Sequence, residues 1–521
     1  MSKKSFVYGA LVLLSSSLFN RILGFVYQVT MIRLVRPEGI GLFNMVYPVY
    51  ILVLVSATVG IPVAISKLVA EETAVDNLRG AYRIFKICFF ILTANSMLFT
   101  VLCCAGSHLL LEYIFPNPNA YHIFLSLLPG IIIVSLCSAF RGFFQGLQNM
   151  VPTAVSQSLE QLVRVFSGIF FAYIFLPFGI EFATIGASIG VVAGELSGLL
   201  SMVAFYFRNR PNRSVSPSFY SSEPLSRSLA RIFNLAFPVT LSRLISSLLL
   251  SVDAVLIPQR LQAGGLNLAD STSTFGQFVG IAETLLFTPG IITVSLAVSL
   301  IPAVSDAMAI NNMSLVRARC EDAIRITFLA GLPCACIFFT LSEELCGIIF
   351  GYPEAGASLK ILALGGLFLY LQQTTTGILQ GMGQAARPFR NLVFASFFKI
   401  IGIYYLTSIP QLGIRGTAAA FVACYAIMAW LNLLDIFGLT GIRINFTRNL
   451  LKPLFSSTGM ALATNTSKHY FFSCTGSTEL STAFSLILGL LSYLSLLIFS
   501  GGINGNDIRR IKNVFSLRTR Y

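Results

Sequence analysis

Charge is what this 521-residue chain has least of. Asp, Glu, Lys and Arg together make up 11% of it, against 55% hydrophobic residues. A soluble domain is about one quarter charged, so a soluble fold is excluded. The mean hydropathy of +0.79 and repeated apolar runs of about 20 residues describe an integral membrane protein of many spans. Histidine is almost missing, at three residues. The ten cysteines stand singly or as Cys103-Cys104 and Cys334-Ala335-Cys336 inside apolar runs, without ligand spacing, so neither a metal site nor a disulfide framework is implied. No glycine-rich phosphate loop precedes a Lys with Ser or Thr, no HExxH occurs, and no Ser, His and Asp set stands out. Catalysis is therefore not expected, and no cofactor is called for. The net charge of +14 would suggest nucleic acid in a soluble protein; here the basic residues lie in short loops between apolar runs and serve as topology signals.

What is present is a ladder of apolar segments, all predicted helical. Spans are predicted near 6–35, 40–66, 85–106, 121–147, 152–178 and 181–207, then near 229–257, 274–305, 323–345, 358–381, 388–410 and 413–438, with two more near 448–466 and 480–500. The N-terminal MSKK and its apolar run resemble a signal peptide but lack a small-residue cleavage site, and are expected to form the first retained helix. The stretch Arg208–Arg231, rich in Ser, Pro and Arg, is the only long polar segment between the halves. The expected organisation is a six-helix lobe over 1–207, a cytoplasmic basic linker over 208–228, a second six-helix lobe over 229–445, two additional helices over 446–503 and a basic tail over 504–521. Lys and Arg in alternate loops number about 25 on one side against 6 on the other (Arg33, Arg36, Arg260, Lys360, Arg415 and Lys468), which places both termini in the cytoplasm with fourteen spans.

The informative residues are the few charges inside spans. In RGFFQGLQNMVPTAVSQSLEQLVRVFSG, residues 141–168, the side chains Gln157, Glu160, Gln161 and Arg164 recur at i, i+3, i+4 and i+7, a polar stripe on one helical face at membrane depth. Each such charge costs about 2.5–3.5 kcal/mol at a helix centre, so the stripe faces a bundle interior or a watery cavity. Two readings stand: a lined pathway, or a Glu160–Arg164 pair that neutralises itself and locks helices together. Arg21, Glu195, Arg243, Glu283 and Lys399 are the other charges of this kind. Arg21 and Arg243 occupy equivalent places in the two halves, and cations so placed suit a phosphate or pyrophosphate that arginine grips with two donors. Capping of a carboxylate or carbonyl is the plainer alternative. Glu195 and Glu283 are candidates for a coupling proton or cation, or for pairing with those arginines.

The halves read as a duplication. GILQGMGQAARPFRNLVFASFFK, residues 377–399, repeats the pattern of the stripe segment, with Lys399 where Arg164 stands; FNRILGF around Arg21 resembles LSRLISS around Arg243, and GIPVAIS at Pro62 resembles LIPAVSD at Pro302. The segments RGFFQGLQNMVPTAVSQSLEQLVRV, IAETLLFTPGIITVSLAVSLIPAVSDA and LQGMGQAARPF resemble the stage V sporulation protein B family, a branch of the multidrug/oligosaccharidyl-lipid/polysaccharide exporter superfamily related to MurJ-type lipid II flippases. The resemblance implies an all-α fold of two six-helix repeats in a V around a cavity, with two further helices alongside. It also implies flipping of a lipid-linked cell-wall precursor, a polyprenyl pyrophosphate saccharide, by alternating access in spore cortex synthesis. Its partners would be that lipid, the surrounding membrane lipids and cell-wall synthesis enzymes. The chain keeps the first arginine of the MurJ-type first-helix pattern in Asn20-Arg21-Ile22-Leu23-Gly24-Phe25, but has Tyr27 at the second and no arginine between Arg36 and Arg79. A cation-coupled multidrug exporter of the same superfamily is the alternative, and a membrane scaffold for wall-synthesis enzymes a third class.

Overall fold

The computed structural model describes residues 3–106, 114–208, 224–442 and 447–502, and among them it is helical with no strand. In lipid, every backbone N–H and C=O must be paired within its own segment. The helices are α1 (Lys3–Thr58), α2 (Ile61–Ala74), α3 (Leu78–Ala105), α4 (Ala120–Gly146), α5 (Val151–Phe175), α6 (Ile180–Arg208), α7 (Leu225–Ala263), α8 (Leu268–Gln277), α9 (Thr284–Phe287), α10 (Gly290–Ala309), α11 (Met313–Thr340), α12 (Ser342–Phe350), α13 (Gly356–Gly381), α14 (Ala386–Leu406), α15 (Ile414–Thr440), α16 (Lys452–Thr475) and α17 (Thr478–Phe499). Most of the 208–228 linker and all of the 504–521 tail lie outside the described residues.

Twelve helical stretches among the described residues are long and apolar enough to cross a membrane, which makes this a multi-pass membrane protein. Twelve differs from the expected fourteen for identifiable reasons. Ser15–Ala74 counts as one stretch, although Arg36 breaks α1 with φ 61 and ψ 170 just before Pro37, where the sequence predicts two spans. α16 is not among the twelve. The eighth predicted span is interrupted: α8 passes through a π-helical turn, Phe278–Glu283, into the short α9, and a new helix starts after Pro289, which has no N–H to donate.

The chain forms two compact units, residues 1–262 with 266–276, and 263–265 with 277–521. α7 and α8 belong to the first unit, beyond the boundary drawn at the polar linker. They are tied there by Ser251 Oγ donating to Pro48 O at 3.0 Å, Asn117 Nδ2 donating to Thr272 Oγ1 at 3.1 Å, and Arg231 paired with Glu71 and Glu72 at 3.0 and 3.2 Å. In the second unit α17 is held by Tyr493 OH donating to Leu329 O at 2.8 Å, and Lys468 of α16 pairs with Glu344 of α12.

The duplication is visible in packing detail. Gly142 abuts Pro62, and Gly146 abuts Ser66 and Val69; in the second unit Gly377 abuts Ala297, and Gly381 abuts Ile301 and Val304. Each residue of the first set lies 235 positions before its counterpart. Asn77 and Asn312 obey the same separation, each capping its helix by accepting from the backbone N–H three residues on, at 3.0 Å. Asp76 and Asn311 share positive φ angles of 55 and 53, and Gln148 takes φ 57 where Gly383 takes 76. This register pairs Pro62 with Ala297, which corrects the matching of Pro62 to Pro302: the glycine contacts of α4 on α2 and of α13 on α10 align the two segments five residues away from that match. Arg164 and Lys399 remain partners under it.

Candidate functional site

The stripe helix α5 is held in place by glycines on α6. Gly186, Gly190, Gly194 and Gly198 recur every fourth residue and form one smooth face. A Cβ at Gly186 would sit 2.6 Å from Phe171 O, one at Gly190 would overlap Gly168, and one at Gly194 would sit 2.7 Å from Glu160 O. Backbones this close, with small residues at i and i+4, are how membrane helices associate without a hydrophobic drive between them. The contact fixes Glu160 and Arg164 against α6. The G-x-x-x-G spacing is plain in the sequence, and the sequence reading did not use it.

Glu160 is the hub. Its Oε1 accepts from Arg164 Nη2 at 2.6 Å and its Oε2 from Arg141 Nη2 at 2.6 Å. Arg141 also donates to Ser156 Oγ at 3.0 Å, and Ser156 donates to Gly198 O at 3.2 Å. The Glu160–Arg164 pair of the plainer reading is therefore present, with a third member. Arg141, taken from sequence as a loop charge, lies inside α4. Two guanidinium groups share one carboxylate, which leaves a net positive charge, and the buried Nε atoms of Arg141 and Arg164 have no hydrogen-bond partner. Each side chain keeps about one fifth of its surface open, 19% for Arg141 and Glu160 and 21% for Arg164. Gln161 lies where α5 meets α1, its Nε2 3.6 Å from the position a Cβ at Gly24 would take, and Gln157 is exposed.

Glu195, one residue beyond Gly194, is 5% exposed and accepts from Tyr50 OH at 3.2 and 3.3 Å. Gly130, which follows Pro129 in α4, makes room for both, because a Cβ there would strike Glu195 Oε2 and Tyr50 OH. Tyr50 and Gly130 are site residues that the sequence reading missed; a tyrosine and a glycine within apolar runs do not show that they meet a carboxylate on another helix.

Arg21 on α1 and Arg243 on α7 are exposed and both lie in the first unit, with no ion pair to either among the described residues. Lys399 and Glu283 belong to the second unit. Lys399, 7% exposed, sits 4.8 Å over the Phe421 ring, a cation–π contact, and Glu283 ends the π-helical turn. A further polar cluster in that unit escaped the sequence reading. Asp435 pairs with Arg387 at 2.9 Å and Arg390 at 3.2 Å and accepts from Asn391 Nδ2 at 2.8 Å; Asn391 also donates to Asn432 Oδ1 at 3.0 Å. By the 235-residue register Asn391 stands where Ser156 does, and each unit carries near that place a carboxylate shared by two arginines, Glu160 with Arg141 and Arg164 in the first and Asp435 with Arg387 and Arg390 in the second.

A family model described as "Polysaccharide biosynthesis protein" matches residues 6–308, and one described as "MatE" matches residues 278–405. Relatives from Bacillus subtilis (strain 168) include "Stage V sporulation protein B", 30% identical over 83% of each chain, and "Lipid II flippase MurJ", 24% identical over 80% of each. Among solved structures, "Lipid II flippase MurJ, inward closed conformation" superposes with a TM-score of 0.72 at 16% identity, covering 94% of this chain and 98% of that one. An inward-facing MATE multidrug transporter reaches 0.67 at 16% identity, covering 81% and 94%. At these identities the structural likeness establishes the fold, two six-helix repeats with further helices; over half of its length matched and a relative at 30% identity, the chain belongs to the polysaccharide biosynthesis protein family, in the branch that holds stage V sporulation protein B.

Proposed function

We propose that the chain is a flippase for a lipid-linked cell-wall precursor, a saccharide on a polyprenyl pyrophosphate, moved across the bacterial cell membrane by alternating access during spore cortex synthesis. The observation that carries this reading is the Arg141–Glu160–Arg164 cluster. It holds net positive charge at membrane depth, in partly open side chains with unpaired Nε donors. A pyrophosphate offers acceptors in the planar geometry that guanidinium recognises. Arg21 and Arg243 extend the cationic character: an exposed arginine within an apolar helix needs water or an anion beside it. Binding and release move the cargo, and no covalent bond changes. The Glu195–Tyr50 pair supplies the coupling site, since a buried carboxylate held by a tyrosine hydroxyl is suited to taking up a proton or small cation. The loop charges support cytoplasmic termini. Dividing α1 at Arg36 and adding α16 brings the spans to fourteen. Relatives named for sporulation and for lipid II flipping support the cargo class.

The MatE match over residues 278–405 favours a second reading, cation-coupled export of amphipathic drugs. Depleting the protein during sporulation separates the two. The flippase reading expects a lipid-linked saccharide to accumulate on the cytoplasmic side with drug tolerance unchanged; raised drug sensitivity with normal lipid-linked pools would overturn it.

A further inference from the structure

The charge cluster of the first unit has a fourth member. Glu195 follows Gly194, whose missing side chain lets α6 lie against Glu160 and Arg164 of α5, and Glu195 interacts electrostatically with Arg164, Glu160 and Arg141. Helix α6 packs against α1, α4 and α5. The titratable groups that face Glu195 from them are Tyr47 and Tyr50 of α1, Cys137 and Arg141 of α4, and Glu160 and Arg164 of α5. Tyrosine and cysteine ordinarily ionise above neutral pH, and Glu160 is held by two guanidinium groups at 2.6 Å. Glu195 accepts from the Tyr50 hydroxyl, which can donate to a carboxylate or accept from a carboxyl. The charge of the cluster therefore turns on Glu195. With it ionised, two arginines face two carboxylates and the charges cancel; with it protonated, one positive charge is left for an anion. Burial opposes the ionised form and the guanidinium groups favour it. The place suits a proton and not a metal ion. No group of three or more His, Cys, Asp or Glu side chains that could hold a metal occurs among the described residues, and even a methyl group at Gly130 would strike Glu195 Oε2 and Tyr50 OH.

We propose, building on the flippase reading, that Glu195 takes up a proton from solution when the arginine pair binds the pyrophosphate of the cargo, so that anion and proton occupy the first unit together. The coupling is reciprocal. An anion beside Arg164 disfavours the carboxylate of Glu195, and a proton on Glu195 strengthens the hold on the anion by the same factor, typically about 5–150-fold. The cargo then crosses with one negative charge fewer, which lowers the cost of carrying an anion through the bilayer. A cationic drug would act in the opposite sense, expelling the proton from the carboxyl it binds.

The test is titration calorimetry of the purified full chain with farnesyl diphospho-N-acetylglucosamine, a short-chain pyrophosphate diester whose own acid groups stay ionised around neutral pH. Runs in two buffers of different ionisation enthalpy count the protons exchanged on binding. The parental protein should take up at most one proton, with affinity highest in acid and at least about fivefold weaker once Glu195 is ionised in the free protein. Glu195→Gln should bind at every pH as the parental protein does in acid, and exchange no proton. Tyr50→Phe keeps the carboxyl, so uptake should persist with its pH midpoint moved. Binding without proton uptake, proton release on binding, a pH dependence that survives Glu195→Gln, or an unmoved midpoint in Tyr50→Phe would each overturn the proton linkage and leave the flippase reading in place. Failure of both the parental protein and Glu195→Gln to bind the diester at any pH would remove the flippase reading and the linkage with it.

Discussion

Replacing Arg164 with alanine separates a structural role for the charge cluster from a transport role, because Glu160 has two partners. In Arg164→Ala the carboxylate keeps Arg141 at 2.6 Å, and the cluster passes from net positive to neutral. The ion pair removed is partly open, so its loss should cost no more than about 1 kcal/mol of stability. Glu160→Ala is different: it leaves two guanidinium groups facing a shared gap. Breaking a buried pair from one side costs about 3–5 kcal/mol, and the open fifth of these side chains brings the expectation to about 2–3 kcal/mol. For transport the order reverses. A charge-assisted contact to pyrophosphate is worth about 1.5–3 kcal/mol, so Arg164→Ala should slow flipping by at least tenfold. Membrane abundance and melting temperature of the purified protein, measured beside flipping in vesicles, give both quantities. The expected result is near-parental abundance with at least tenfold slower transport for Arg164→Ala, and a marked loss of folded protein for Glu160→Ala. Parental flipping by Arg164→Ala, or equal instability of the two variants, would refute the reasoning. Arg164→Lys keeps the charge without the planar fork and should fall between.

Three other outcomes follow from particular contacts. Gly190→Ala sets a methyl group against Gly168 and should cost about 1–3 kcal/mol, seen as a lower melting temperature, whereas Gly438→Ala, with nothing within 4 Å of the new Cβ, should be neutral; equal effects would dismiss the glycine seam. Glu195→Gln should fold normally yet lose the pH or ion dependence of transport, and Tyr50→Phe should alter that dependence with abundance unchanged; an unaltered dependence in both removes Glu195 as the coupling group. In a cysteine-free background, a cysteine near Asn119 should react with an impermeant thiol reagent added to intact cells and one at Ser216 should not, while labelling at Ser216 would invert the topology.

Periodicity made the stripe on α5 legible, since Gln157, Glu160, Gln161 and Arg164 declare one face whatever packs on it. The pairing of Arg164 with Lys399 was legible from the repeated segment, and the all-helical membrane fold from composition alone. What escaped depends on tertiary register. Arg141 falls within the span predicted over 121–147 but near its end, where a cation ordinarily counts with the loop charges, and its place in the cluster is set by the contact with Glu160, which no local spacing records. Tyr50 and Gly130 matter because α1, α4 and α6 meet at one point, and no local spacing records that meeting. Asn391, Asn432 and Asp435 fall near the ends of their spans, where polar residues are ordinarily interfacial. The attachment of α7 and α8 to the first unit rests on single contacts such as Ser251 to Pro48, which a boundary drawn at a polar linker cannot anticipate. The Pro62–Pro302 match failed because short apolar motifs align equally well several residues apart, while a glycine against a backbone has one register.

The central claim is tested most directly by flipping in proteoliposomes that contain only the purified chain. A polyprenyl pyrophosphate saccharide with a fluorescent sugar is incorporated on both faces, and a membrane-impermeant reductant quenches whatever reaches the outer leaflet. Loss of nearly all fluorescence in vesicles holding the parental protein, with the inner half lost at least tenfold more slowly in vesicles holding Arg164→Ala at equal density, is the predicted result. Protection of the inner half by the parental protein, under conditions where a fluorescent amphipathic cation is exported, would contradict it.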